Sequence, residues 1–133
     1  MKLRVMLGMA LLAALLSAQE ATATTAAVAT YSSSCTPLTE VQKVERLLQY
    51  IRTLEGATFI RNGMEHTCRE AADHLQAKWE KHMSKIRTAE EFVLNLASAS
   101  GLSGEAYKIR FPDGTIVTTK EVLLEELKRL EQQ

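Results

Sequence analysis

The chain has 133 residues, with 16 basic and 16 acidic side chains, three histidines and two cysteines. That length suits a single domain. Charge balance leaves no basic surplus of the kind nucleic acid attracts, so a nucleic-acid partner is not expected.

The first stretch is a targeting pattern. Lys2 and Arg4 precede an apolar run, Val5 to Leu16, interrupted only by Gly8. The run is shorter than the roughly 20 apolar residues that span a membrane, and no second run follows. A charged start, a short apolar segment and small residues after it describe a secretory signal peptide. We therefore expect residues 1–29 to be signal peptide and c-region, with cuts after Ala18, Ala23 or Ala29 as alternatives, and no permanent membrane anchor. The expected location is periplasmic or secreted. Removing Lys2, Arg4 and Glu20 leaves 14 basic and 15 acidic residues, a net charge of −1. Residues 30–37 read as a flexible lead, because the Ala/Thr/Ser tract around them lacks the apolar side chains a core needs. Residues 38–133 read as one domain.

Thr36-Pro37 can open a helix, and Thr39 with Gln42 offers a capping box one turn later. Leu38, Val41, Val44, Leu48, Ile51 and Leu54 then recur at helical spacing, which predicts a helix over about 38–55 stopped by Gly56. Ala57 to Arg61 predicts a short strand. Its apolar neighbours Phe59 and Ile60 point to opposite faces, which suggests burial on both sides or a bend. Asn62-Gly63 supplies a tight turn. Thr67-x-x-Glu70 caps the next helix, whose apolar stripe is Cys68, Ala71, Ala72, Leu75, Trp79, Met83 and Ile86. Thr88-x-x-Glu91 opens a third helix through Phe92, Val93, Leu96 and Ala97. Ser98 to Gly104 is a turn-rich loop. Residues 106–111 and 115–118, around Pro112-Asp-Gly114, predict a β-hairpin. Thr118-x-x-Glu121 caps a final helix. The expected fold is α+β, order α-β-α-α-β-β-α, with a small antiparallel sheet packed on helices.

Several groups of residues carry possible chemistry. His66, Glu70 and His74 at i, i+4, i+8 are types that zinc accepts. However, His66 precedes the cap Thr67 and so stands off the helix, and Glu70 points away from the apolar stripe. Cys68 in the first turn of a helix could act as a nucleophile with His66 or His74 as base. It lacks a C-x-x-C partner and lies on the core stripe, so a structural disulfide to Cys35 is the stronger expectation, worth about 3 kcal/mol. Ser98, Ser100 and Ser103 lie in a glycine loop without a G-x-S-x-G elbow, so they read as turn formers. That loop could instead hold an anion on backbone N–H groups, with Arg61 or Lys78 nearby. The basic run Lys78, Lys81, Lys85 and Arg87 is interleaved with glutamates and reads as a solvated face.

Phe59-Ile-Arg-Asn-Gly63, then His66, Glu70-Ala71, His74-Leu75 and Lys78, resembles the signature of the YfeK-like family of small exported bacterial proteins. Later pieces also resemble it: Ile86, Thr88-Ala89-Glu90, Phe92, Ser98-x-Ser100 and Ser103-Gly104-x-x-Tyr107. The likeness covers about residues 40–130; Cys68 falls within its motifs and Cys35 does not. It implies export and a shared fold, and no activity, cofactor or catalytic residue. The expected function is that of a non-catalytic binding module for a periplasmic protein or small ligand. Its site is a polar patch of Arg61, Asn62, His66, Glu70, His74, Ser98, Ser100, Ser103 and Tyr107, with no cofactor. The alternative is a metal-binding protein or hydrolase using His66, Glu70 and His74.

Overall fold

The computed structural model describes residues 36–133; the expected signal peptide, most of the lead and Cys35 lie outside the described residues. The element order is α1 (Glu40–Arg52), β1 (Thr58–Arg61), β2 (Met64–Thr67), α2 (Cys68–His82), α3 (Ala89–Phe92) running into a π-helical turn (Val93–Ala97), β3 (Lys108–Arg110), β4 (Ile116–Thr118) and α4 (Thr119–Glu131). The strands form one antiparallel sheet in the order β2-β1-β3-β4.

Local chemistry sets most of the boundaries. Thr39, Thr67 and Thr118 each close a reciprocal capping box with Gln42, Glu70 and Glu121, and Thr88 accepts from the Glu91 amide. Each cap satisfies amides that the first helical turn leaves without partners. Thr39, not Thr36, therefore opens α1. The helix ends at Arg52 rather than running to 55, because past Thr53 the amides leave the i−4 pattern: Leu54 N donates to the Ile51 carbonyl at 3.2 Å and Glu55 N to that of Thr53 at 2.8 Å.

The sequence order omitted a strand. Met64–Thr67 pairs along its length with β1, joined by the two-residue Asn62-Gly63 turn. Both turn residues have positive φ, 50° and 72°, the backbone a two-residue hairpin requires. β2 is an edge strand with largely exposed side chains, so it lacks the apolar alternation that marks a strand.

Register also decides which face is covered. Phe59 stands opposite His66 and Ile109, and Ile109 opposite Val117. This row faces the helices, where Phe59 and Ile109 are buried. Ile60, one residue on, shares the other face with Glu65 and Lys108, where Arg110 pairs with Glu65 at 2.7 Å. Burial of β1 on both sides is thus corrected: Ile60 is only partly covered. The core unites Val44, Leu47, Leu48 and Ile51 of α1 with Cys68, Ala71, Ala72, Leu75 and Trp79 of α2 and with Phe92, Val93, Leu123 and Leu127. Of the expected α2 stripe, Cys68 to Trp79 lie on the buried helix face; the helix stops at His82 and leaves Met83 half exposed, while Ile86 packs against the core from beyond the helix end.

Candidate functional site

Arg61 lies two residues beyond Phe59 on β1, so alternation aims it at the helix side of the sheet. Opposite it, Glu70, His74 and Lys78 climb α2 one turn apart. Tyr107, just before β3, is buried with its ring 5.2 Å from that of Phe59. Between these elements lie two adjoining cavities that share Arg61 and His74. The inner one, about 210 Å³, is lined by Phe59, Arg61, His66, Glu70, Ala71 and His74. The outer one, about 330 Å³, is lined by Arg61, Asn62, His74, Lys78, Ser100, Gly101, Leu102 and Tyr107.

Hydrogen bonds fix the walls. Lys78 Nζ donates to the Leu96 carbonyl at 2.6 Å, to that of Ala99 at 3.2 Å, and to the Tyr107 hydroxyl at 3.5 Å. The Tyr107 hydroxyl is also 3.5 Å from His74 Nε2. Ser103 Oγ donates to Asn62 Oδ1 at 2.7 Å, fastening the 98–104 loop to the β1–β2 turn. The loop closes on itself through Ser100 N to Glu105 O and Tyr107 N to Ser98 O, both 2.9 Å.

The electrostatics are one-sided. Burial first, then Arg61, Lys78 and His66, hold His74 below the ordinary imidazole range. Burial and Arg61 lower Lys78 in the same way, while burial raises the Tyr107 phenol. Glu70 is the carboxylate on this wall, and its Oε2 accepts from both Thr67 N and Thr67 Oγ1 at 2.9 Å. Among the described residues, Arg61 forms no ion pair, and His66 Nε2 is buried without a hydrogen-bond partner.

Residues 38–131 match DUF5329, a family of unknown function. The chain belongs to DUF5329. A curated relative, the uncharacterized protein YfeK of Salmonella typhimurium, is 35% identical over 68 residues, which is 51% of this chain and 57% of that protein. The match therefore spans little more than half of the relative's length. No solved structure matches the chain.

DUF5329 membership carries no chemistry with it, so the site rests on the groove. Of the residues named from the sequence, Arg61, Asn62, His66, Glu70, His74, Ser100 and Tyr107 line it. Ser103 braces it through Asn62. Ser98 turns away: its hydroxyl donates to the Leu94 carbonyl at 2.6 Å. Among the described residues, no group of three or more His, Cys, Asp or Glu side chains is placed to hold a metal ion. His66, Glu70 and His74 share a cavity wall, but the Glu70 carboxylate is engaged by its cap. Cys68 is buried, its thiol raised by that burial, with Sγ 3.5 Å from the Ala57 carbonyl. This is the environment of a structural thiol rather than an activated one.

Lys78 is the wall residue that sequence reasoning left outside the patch. The signal was present in the spacing: Glu70, His74 and Lys78 continue i, i+4, i+8 along one helix face.

Proposed function

We propose that this chain is a non-catalytic binding module, exported to the periplasm, that takes its ligand or partner in the groove between α2 and the Arg61 end of the sheet. The observation that carries the reading is Arg61: a guanidinium facing a preformed groove, without an ion pair among the described residues. A rigid wall of backbone-anchored Lys78 and Tyr107 stands opposite it. Pre-organised walls reduce the ordering cost of binding.

Export is supported by the Lys2/Arg4 start and the Val5–Leu16 run. A Cys35–Cys68 disulfide belongs to the same proposal, since an exported compartment permits it.

Native mass spectrometry of the protein purified from a periplasmic extract tests these points together. The expected spectrum shows loss of the N-terminal segment, a two-hydrogen mass gain on reduction, and a bound species that disappears in the Arg61→Ala/Ser100→Ala variant. A species retained by that variant overturns the groove. A metal adduct lost on His66→Ala or His74→Ala would replace the reading with the metal alternative.

A further inference from the structure

We propose that the groove receives a monoanionic carboxylate bearing an apolar substituent. The Arg61 guanidinium takes the carboxylate, and Met64 and Leu102 flank the apolar part. This rests on the groove being the binding site and names the class of ligand.

The first argument is a count of free donors. The groups facing His74 and Arg61 are His66 from β2, Glu70 and Lys78 from α2, and Tyr107 ahead of β3. An ammonium has three donors, and Lys78 directs its three contacts to Leu96, Ala99 and Tyr107. It contributes charge but has no donor left for a ligand. Among the described residues the Arg61 guanidinium has no hydrogen-bond or ion-pair partner, and its fork matches a carboxylate by two parallel hydrogen bonds.

The second argument is the charge balance. Leaving the imidazoles aside, Arg61 and Lys78 against Glu70 leave the groove one positive charge. A monoanion balances that charge, whereas a dianion leaves an uncompensated negative charge in a half-buried site, which is costly.

Apolar exposure is the third. Leu102 is 101% exposed at the lip of the outer cavity, and Met64, paired with Arg61 in the hairpin register, is 62% exposed. Neither contributes to the core. Two bare apolar side chains beside an unpaired guanidinium suit a ligand that is anionic at one end and apolar at the other.

His74 then couples binding to pH. Cations surround it on the groove side, so a bound carboxylate favours its protonation, and by linkage protonation favours the carboxylate.

The test is an NMR titration of the purified exported protein with hexanoate, acetate, hexanol and inorganic phosphate. Hexanoate is expected to shift the Arg61, His74 and Leu102 resonances and to bind about tenfold tighter than acetate, the gain from burying roughly two of its four additional methylenes in a groove open to solvent. Phosphate and hexanol bind more weakly. Arg61→Gln weakens hexanoate at least about tenfold, the scale of a lost charge-assisted pair, with its spectrum still dispersed. Leu102→Ser reduces the preference for hexanoate over acetate. Binding tightens as pH falls below about 6.5, and does so less in His74→Gln than in wild type.

Unchanged binding in Arg61→Gln, phosphate binding as tightly as hexanoate, or no response at tens of millimolar hexanoate would each overturn the proposal. If hexanoate fails while the bound species from the extract still depends on Arg61, the ligand class is wrong and the groove stands. If both fail, the groove reading falls with it.

Discussion

The Lys78 ammonium reaches the Leu96 carbonyl at 2.6 Å, so one side chain of α2 holds the end of the π-helical turn and the loop that follows it. Lys78 satisfies the Leu96 carbonyl within that turn and the Ala99 carbonyl in the loop after it. The same ammonium lies 5.2 Å from the Tyr107 ring centre. Loop, strand approach and helix thus meet at one cation, which makes the outer cavity a rigid feature.

Lys78→Met is therefore expected to destabilise the fold by about 1–2 kcal/mol, the cost of leaving buried carbonyls unpaired while the aliphatic stem still packs. Urea denaturation measures the loss. Hydrogen exchange should show the Ser100 and Gly104 amides exchanging faster, because the loop loses its anchor. A variant as stable as wild type would mean that water replaces the ammonium without cost.

His74 gives the protein a pH-dependent stability of definite sign. Its folded pKa lies below the ordinary value of about 6.5, so on acidification the unfolded chain takes up the proton first. The contribution is fully present above about pH 6.5 and is lost as pH falls through the folded value. Arg61, His66, Glu70, Lys78 and Tyr107 are the groups that face it. Stability from urea denaturation should drop across this window more steeply in wild type than in His74→Gln. His66 and His82 are common to both proteins, so the difference isolates His74.

The caps, the α2 core stripe and the β3–β4 hairpin are legible in the sequence because their causes lie within a few residues. Thr67 bonds Glu70 three positions on, and Cys68 to Trp79 share one helix face whatever they pack against. β2 is not legible by pattern: Met64, Glu65, His66 and Thr67 are partnered on one side only. Asn62-Gly63 was the sole local sign of its return. The patch is legible in its residue types, since polar groups on turns are held by the elements beside them. The carbonyl partners of the Lys78 ammonium and the Ser98 hydroxyl are not legible, because their positions depend on the π-helical turn, which the helical spacing of Phe92, Val93, Leu96 and Ala97 does not reveal.

Cys68 should be inert in the reduced native protein. It is buried, and burial raises its thiol pKa. Reaction with a thiol reagent under reducing pre-treatment is expected to follow the rate of opening of α2 and to become fast in urea. Rapid labelling of the folded protein would show an accessible thiolate and revive the nucleophile.

The β1–β2 turn separates backbone cost from side-chain cost. Gly63 has φ +72° and nothing within 4 Å of an added Cβ, so Gly63→Ala meets only conformational strain, about 1–2 kcal/mol. Asn62→Gly keeps the positive φ accessible but removes the acceptor for Ser103 Oγ, and should cost about 0.5–1.5 kcal/mol. Asn62→Ala combines both penalties and should be the more damaging of the two Asn62 variants. Ser103→Ala loses that bond and also the acceptor of the Glu105 amide at 3.3 Å, so it should cost somewhat more than the side-chain loss of Asn62→Gly, and the double variant should cost less than the sum of the two because the shared bond is lost only once. Full additivity in that double variant would show that the turn and the 98–104 loop are energetically independent, and that the outer wall of the groove is not braced from β1.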